Sequence, residues 1–432
     1  MTRPDRTADW LTIREATDVI LGSVARLDAE TIDLLDAAGR TLATDVTAPR
    51  DQPPWDNSAM DGYAVLAEDV RGASKADPRR LKLVESIAAG EFPSRDAGPG
   101  EAIRIMTGAP IPRGADSVIR IEHTRVVDAI NVEVLDDADA GRNIRLRGED
   151  LREGEIVLEK GALLRAGEIG VLATVGRARV QVCRRPRIAI LSTGNELVDL
   201  DGFAEVLAGR RIVNSNSYAL AAACSAVGAQ PVLLGIAPDE SAAIRARVEG
   251  VIDRCDALVT SAGASVGEHD VVKDALETLG MNAAFWRVRI RPGSPFSFGT
   301  IQRTGQAPLP VFGLPGNPVS AIVTFEILVK PAIRAMLGRR AIHPPTILVR
   351  VGRAIESRAG LVRFLRVRLA NADAGLPRAE LTGNQGSGVL TSVARADALL
   401  VVPLDVDRLE AGEVAVAVPL QEQDAAQIAP GF

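Results

Sequence analysis

Histidine is nearly absent from this chain: His123, His269 and His343 are all that 432 residues contain. Two of them lie far in sequence from the serine- and glycine-rich turns, so neither a Ser-His-Asp triad nor a multi-histidine metal centre has the groups it needs. Cysteine is as scarce. Cys183, Cys224 and Cys255 show no CxxC spacing, which supports neither a disulfide framework nor a zinc ribbon and leaves them as buried thiols. No 18-residue run is both apolar and uncharged, and Met1 to Leu11 has charges but no apolar leader core. The expected location is the cytoplasm, with no membrane role. A net charge of −6 argues against a basic nucleic-acid surface. Apolar content of 47% and charged content of 25% are those of a globular protein. The length is too great for one core and predicts about three domains. Chemistry here must rest on carboxylates, backbone donors, hydroxyls and arginine.

What the sequence does have is a set of strand-to-turn junctions. The central one is Phe312-Gly313-Leu314-Pro315-Gly316-Asn317-Pro318-Val319-Ser320. An apolar run enters it, and Ala321, Ile322, Phe325, Leu328 and Val329 leave it at helical spacing. Pro318 suits the first helical position, and a rigid turn opening a helix is an anion seat, because free N–H groups and the helix dipole converge there. Two more apolar strands end alike: Arg187–Leu191 runs into Ser192-Thr193-Gly194-Asn195-Glu196, and Asp256–Thr260 into Ser261-Ala262-Gly263-Ala264-Ser265-Val266-Gly267. Helix-period segments separate them. That is the carboxyl edge of an open parallel sheet, where ligands bind.

Thr12 to Leu27 reads as an amphipathic helix. The loop that follows leads to Trp55-Asp56-Asn57-Ser58-Ala59-Met60-Asp61-Gly62-Tyr63, where two aspartates crowd against Trp, Met and Tyr as in a ligand-facing loop. Leu81 to Glu149 breaks into short strands, and the charged run Asn143 to Asp150 reads as a solvated face. Asp239 is placed to cap a helix beginning at Glu240. Phe285 to Gly293 reads as one strand, with Arg287, Arg289 and Arg291 on one face by alternation. Such a row either grips an oxyanion or guards an edge strand. The rigid turn after it favours the first. Beyond Arg340 short strands predict a terminal β domain, in which Gln385-Gly386-Ser387-Gly388 reads as a turn, not a site.

Seven segments together carry a family resemblance: Asp56 to Val65, Met106-Thr107-Gly108-Ala109-Pro110, Gly148-Glu149-Asp150, Ser192 to Leu197, Ser215-Asn216-Ser217, Gly267 to Asp270 and Leu314 to Ala321. In number, order and spacing they resemble the molybdopterin molybdenumtransferase family, which is similar to the E domain of gephyrin. The resemblance implies an α/β and β multidomain chain. A central doubly wound parallel α/β domain of molybdopterin-binding type (183–340) joins a β-rich domain (53–150), an extended N-terminal domain (1–52 with 151–182) and a C-terminal β-barrel-like domain (341–432). It also implies an elongated homodimer with the cleft between subunits. The reaction it implies takes adenylylated molybdopterin and molybdate, with Mg2+, to molybdenum cofactor and AMP. The molybdopterin adenylyltransferase and downstream molybdoenzyme chaperones are the protein partners it points to.

Residue by residue, the resemblance implies roles for the matching positions. Asp239 and Asp270 would hold Mg2+ and nucleotide. Asp61 and Asp150 would close over the site from the β-rich domain, from the other subunit, with Glu196 as the acid after the Thr-Gly turn. Thr107, Ser192, Thr193, Gly194, Ser261, Gly263, Ser265, Gly267, Pro315, Gly316 and Asn317 would hold pterin and phosphates. Arg287, Pro318 and Ser320 match the molybdate pocket. This chain departs from the family where Ala262 and Ala264 stand for glycine and valine, where Arg291 and Ser294 stand for lysines, and where Asn214 stands for aspartate. If Ala262 takes a positive φ, the loop is strained or rearranged. A divergent paralogue that carries or senses cofactor is the competing reading.

Overall fold

The computed structural model describes residues 10–262, 271–370 and 375–420. Thr12 opens α1 (Ile13–Gly22): its Oγ1 accepts from Glu15 N at 3.2 Å while Glu15 Oε2 accepts from Thr12 N at 2.8 Å. This reciprocal cap satisfies two donors the helix start would leave orphaned. The helix stops well short of the predicted Leu27, yet Val24 and Leu27 still pack beside Ala16 and Ile20 on the main core. Next to it, Ala29–Asp33 pairs with Arg179–Cys183 and Val46–Thr47 with Ile156–Leu158, so segments far apart in the chain share one small core around Leu42, Leu164 and Val182.

Between them lies a mixed six-stranded sheet. Its strands are β1 (Gly62–Val65), β2 (Arg79–Ile87), β3 (Glu101–Ile105), β4 (Ser117–Arg120), β5 (Thr124–Asp128) and β6 (Asn131–Val134), in the order β4-β1-β3-β2-β6-β5. Behind it, the buried carboxylate of Asp139 accepts from Arg120 N and from its Nε and Nη2, the last at 2.8 Å. Burial pushes this carboxyl up, but the Arg120 bonds and the Asn143 amide outweigh it and hold the group at about 2. Arg120 is the ladder partner of Gly62, so the ion pair fixes the strand beside Asp61.

The central sheet holds β7 (Arg187–Thr193), β8 (Gln230–Ala237), β9 (Ala257–Ser261), β10 (Met281–Arg287), β11 (Pro295–Ile301) and β12 (Leu309–Leu314), in the order β8-β7-β9-β12-β11-β10. The first four are parallel and the last two antiparallel. Helix α2 (Ser215–Val227) buries Leu220 and Cys224 on one face. Helices α3 (Ser241–Glu249) and α4 (Val271–Thr278) bury Ile244, Val248, Val272 and Leu276 on the other. This is the doubly wound arrangement. After β12 the chain turns into α5 (Pro318–Thr324), which runs on through a π-helical turn to Met336.

Two expectations fail here. Helix α3 starts one residue later than predicted, with Glu240 at the cap and no side-chain cap bond, so Asp239 is not a cap. The arginine strand is not continuous either. β10 ends at Arg287, Val288 N bonds back to Ser294 O, and Ile290–Arg291 forms a separate strand parallel to Val362 and Arg363. The alternation of burial survives the break: Val288 and Ile290 are buried in the main core, and Arg287, Arg289 and Arg291 lie outside it. Arg287 stacks over the Trp10 ring at 5.0 Å, and Arg289 Nε donates to Trp10 O at 3.1 Å.

The C-terminal region contains β13 (Ile347–Val351), β14 (Val362–Ala370), β15 (Arg378–Leu381), β16 (Ala398–Val402) and β17 (Val414–Pro419). The pairings β14-β15-β13-β17-β16 return to β14 and close a five-stranded barrel around Val349, Val367, Leu400 and Ala417. Among the described residues no helix is long and apolar enough to cross a membrane.

Candidate functional site

The parallel ladders set Ser192 beside Ser261 and Ser261 beside Leu314, so the ends of β7, β9 and β12 share one edge. Beneath that edge lies a closed polar ring. Ser192 Oγ donates to Asn214 Oδ1 at 2.9 Å, Asn214 Nδ2 donates to Ser217 Oγ at 3.0 Å, and the Ser217 and Ser192 hydroxyls meet at 2.9 Å. All three side chains are buried, and a neutral amide that both donates and accepts satisfies them without an unpaired charge. Asn214 also caps α2 through Ser217 N, which roots the helix at the edge.

Above the ring opens a cavity of about 680 Å³, lined by Thr193, Glu196, Asn216, Ser261 and Asn317 among others. Gly194 has φ +149°, a conformation that favours glycine, and a Cβ on it would displace the Glu196 carboxylate, whose Oε1 would lie 2.7 Å away. The absence of that Cβ lets the carboxylate fold back over the strand end. Beside it, Asp239 Oδ2 accepts from Asn195 N at 3.1 Å and Asp239 N donates to Asn195 Oδ1 at 3.3 Å. This reciprocal pair brings the end of β8 to the turn after β7, and among the described residues Asp239 Oδ1 accepts no hydrogen bond.

A second cavity, of about 530 Å³, lies between this edge and the barrel. Arg291, Arg363 and Arg366 line it with Ser320 and Ser387. Arg366 is fully buried, and its Nε donates to Ser392 Oγ and its Nη2 to Gly386 O, each at 3.1 Å. Arg363 Nε is buried and, among the described residues, has no hydrogen-bond partner. Burial first, then the charges of Arg291 and Arg358, press the Arg363 guanidinium below its ordinary value. Among the described residues none of the three forms an ion pair with an acid. Such a cluster is a seat for an oxyanion, which would supply the missing counter-charge. Gly293, with φ +108° and Thr324 Cγ2 only 2.4 Å from where a Cβ would stand, lets the turn after Arg291 lie against α5. Asn317 lines both cavities and makes no cap bond to α5.

Ala262, just beyond β9, has φ +85°, a conformation that favours glycine. Strain of about 1–2 kcal/mol is set against the flexibility that glycine restores to the unfolded chain, about 0.5–1 kcal/mol. Ala262→Gly is therefore expected to raise the melting temperature of the central domain by about 1–3 °C. A fall in melting temperature on differential scanning calorimetry would show that the methyl packs to advantage.

The predicted residues divide into groups. Thr193, Glu196, Ser261, Gly316, Asn317 and Pro318 line the first cavity, while Asn317 and Ser320 line the second. Ser192 lies in the ring below, and Gly194 and Pro315 are buried in the turns. Asp61 Oδ1 accepts from Thr107 N at 2.7 Å and Thr107 Oγ1 at 2.8 Å, and these bonds hold its carboxyl below the usual range. Asp61, Thr107 and Asp150 are exposed on or beside the β-rich lobe and line neither cavity, and Arg287 lines neither. Gly263, Ser265, Gly267 and Asp270 lie outside the described residues. The sequence reading missed Arg363, Arg366 and Ser387. Arg363 enters only because β14 pairs with Ile290–Arg291, a contact no local spacing announces. The Gln385–Gly388 loop, read as a plain turn, supplies cavity wall, and its Ser387 O accepts from Val319 N at 3.1 Å.

The model of the MoeA N-terminal region (domain I and II) matches residues 11–176, that of a probable molybdopterin binding domain matches 189–335, and that of the MoeA C-terminal region (domain IV) matches 349–420. The chain is 37% identical over 414 residues to a molybdopterin molybdenumtransferase of Nostoc sp., covering 94% of this chain and 93% of the relative. It is 31% identical over 416 residues to one of Staphylococcus aureus, covering 96% of each. The molybdopterin biosynthesis moeA protein of Pyrococcus horikoshii has a similar solved structure, with TM-score 0.81, 30% identity, and coverage of 95% of this chain and all of that one.

Proposed function

Because the chain belongs to the molybdopterin molybdenumtransferase family, we propose that it inserts molybdate into adenylylated molybdopterin, giving molybdenum cofactor and AMP. The observation that carries this reading is the cluster of Arg291, Arg363 and Arg366, without acid partners among the described residues, which opens beside a larger polar cavity across Asn317. Molybdate is a compact dianion, and arginine forks with the Ser320 and Ser387 loops suit it. The larger cavity offers hydroxyl, amide and turn groups for pterin and phosphates. The molybdate role expected of Arg287 passes to Arg291 in this reading, because Arg287 is engaged with Trp10.

Mg2+ is the cation the family resemblance implies. Among the described residues no three His, Cys, Asp or Glu side chains gather as a ligand set. Mg2+ takes one or two carboxylates and completes its shell with water and phosphate. Asp239, one oxygen of which accepts no hydrogen bond among the described residues, and Asp270 would hold it, and bound there it would polarise the phosphoanhydride. Glu196 faces the larger cavity as a proton acceptor or water-orienting group. A molybdate oxygen would attack the adenylyl phosphorus and break its bond to the pterin phosphate, and the dithiolene sulfurs of the pterin would then displace AMP from molybdenum. Asp61 and Asp150 close the site from a second copy in a homodimer.

The test is an insertion assay with adenylylated molybdopterin, molybdate and Mg2+, following AMP release and formation of cofactor together. Both are expected, and Asp239→Ala should lower the rate about 100-fold or more. Binding of pterin without AMP release under any divalent-ion condition would overturn the transferase reading in favour of a carrier.

A further inference from the structure

We infer that Asn216 is a positioning residue, whose amide acts as a double donor to fix the gap between the two turns that hold the substrate; the inference rests on the function proposed above. Asn216 stands in the first turn of α2, but its side chain is not spent on capping, since Asn214 does that. Its Nδ2 donates to Ser261 Oγ at 2.7 Å and to Gly316 O at 2.7 Å. One nitrogen therefore ties the end of β9 to the turn after β12. Among the described residues the ladder between these strands runs to Ser261 and Leu314 and ends with Ala262 N to Leu314 O at 3.1 Å. The Asn216 bond to Gly316 lies beyond that bond.

Two consequences follow from the chemistry. A carbonyl held by Asn216 is not free to swing its partial negative charge toward an anionic ligand, so the N–H groups of the turn keep that role. Gly316 also precedes Asn317, which lines both cavities, so fixing the carbonyl fixes the group that faces pterin and oxyanion together. The base of this arm is rigid because the ring of Ser192, Asn214 and Ser217 is buried under it. The sequence motif Ser215-Asn216-Ser217 thereby divides its labour: Ser217 anchors, and Asn216 reaches.

The inference is tested in the full-length protein with Asn216→Asp and Asn216→Ala, titrating adenylylated molybdopterin at pH 8 and pH 5 and dividing each affinity by that of wild type at the same pH. An ionised carboxylate cannot donate and repels Gly316 O, whereas a protonated one restores a single donor. Asn216→Asp is expected to bind about 10- to 100-fold more weakly than wild type at pH 8 and to regain part of that loss at pH 5, because repulsion from Gly316 O raises its carboxyl above the ordinary aspartate value. Asn216→Ala should be weak at both pH values, and the melting temperatures of both variants should stay close to wild type. Wild-type affinity in Asn216→Asp at pH 8, or in Asn216→Ala at either pH, would overturn the positioning role while leaving the functional reading intact. If wild type itself takes up no adenylylated molybdopterin, the functional reading falls and the inference falls with it.

Discussion

Arg363→Ala is expected to raise the KM for molybdate about 10- to 100-fold, because a charge-assisted contact to a buried dianion is worth about 1.5–3 kcal/mol. The affinity for adenylylated molybdopterin should move little, since Arg363 lines the smaller cavity and not the larger one. Stability should not suffer. The guanidinium is desolvated, its Nε has no hydrogen-bond partner among the described residues, and Arg291 and Arg358 repel it, so without ligand its charge is a burden on the fold. Removing it should leave the melting temperature unchanged or higher. Arg363→Lys should recover part of the affinity, because an ammonium keeps the charge but loses the planar fork. Arg366 makes a poorer test: its bonds to Ser392 and Gly386 hold the barrel wall, so its loss confounds binding with folding. An unchanged KM for molybdate in Arg363→Ala, with turnover intact, would remove the arginine cavity from the reaction.

The parts of this architecture that were legible in the sequence are those set by local patterns. Apolar strands ending in small-residue turns placed Ser192, Ser261 and the Leu314–Ser320 turn at one sheet edge, and the ladders put them side by side. The positive φ of Ala262 was foreseeable only through the family resemblance, which puts a glycine at that position. What period and propensity could not give was tertiary pairing. Alternation alone put Arg287, Arg289 and Arg291 on one face, but the loop at Val288 breaks the strand, and a stacking contact with Trp10 takes Arg287 away. Arg363 and Arg366 reach the cavity through strand pairing and barrel closure between segments with no shared local signal. The π-helical turn after α5 likewise carries no signature in its apolar spacing.

Mixing two inactive variants, Asp61→Asn and Glu196→Gln, is expected to restore about one quarter of wild-type turnover if the subunits exchange at random, since half the dimers are then mixed and each carries one intact site. The reasoning begins with position. Asp61 is exposed, held ionised by Thr107, and lines neither cavity of its own chain, whereas Glu196 lines the larger one. For both carboxylates to serve one reaction, Asp61 must reach the cavity of another copy. The surfaces around them are apolar enough to be covered: Leu200, Leu207 and Ile212 are 57%, 80% and 56% exposed near Glu196, while Trp55 and Met60 stand partly exposed near Asp61. Each single variant should lose about 100-fold or more in turnover when assayed alone, with little change in melting temperature, because both side chains are exposed. Co-refolding or co-expression of the two, followed by the insertion assay, separates the alternatives. Recovery to near one quarter assigns the two carboxylates to different chains. A mixture no more active than its parts, in a preparation shown to contain mixed dimers, would mean that they act within one chain or that Asp61 takes no part.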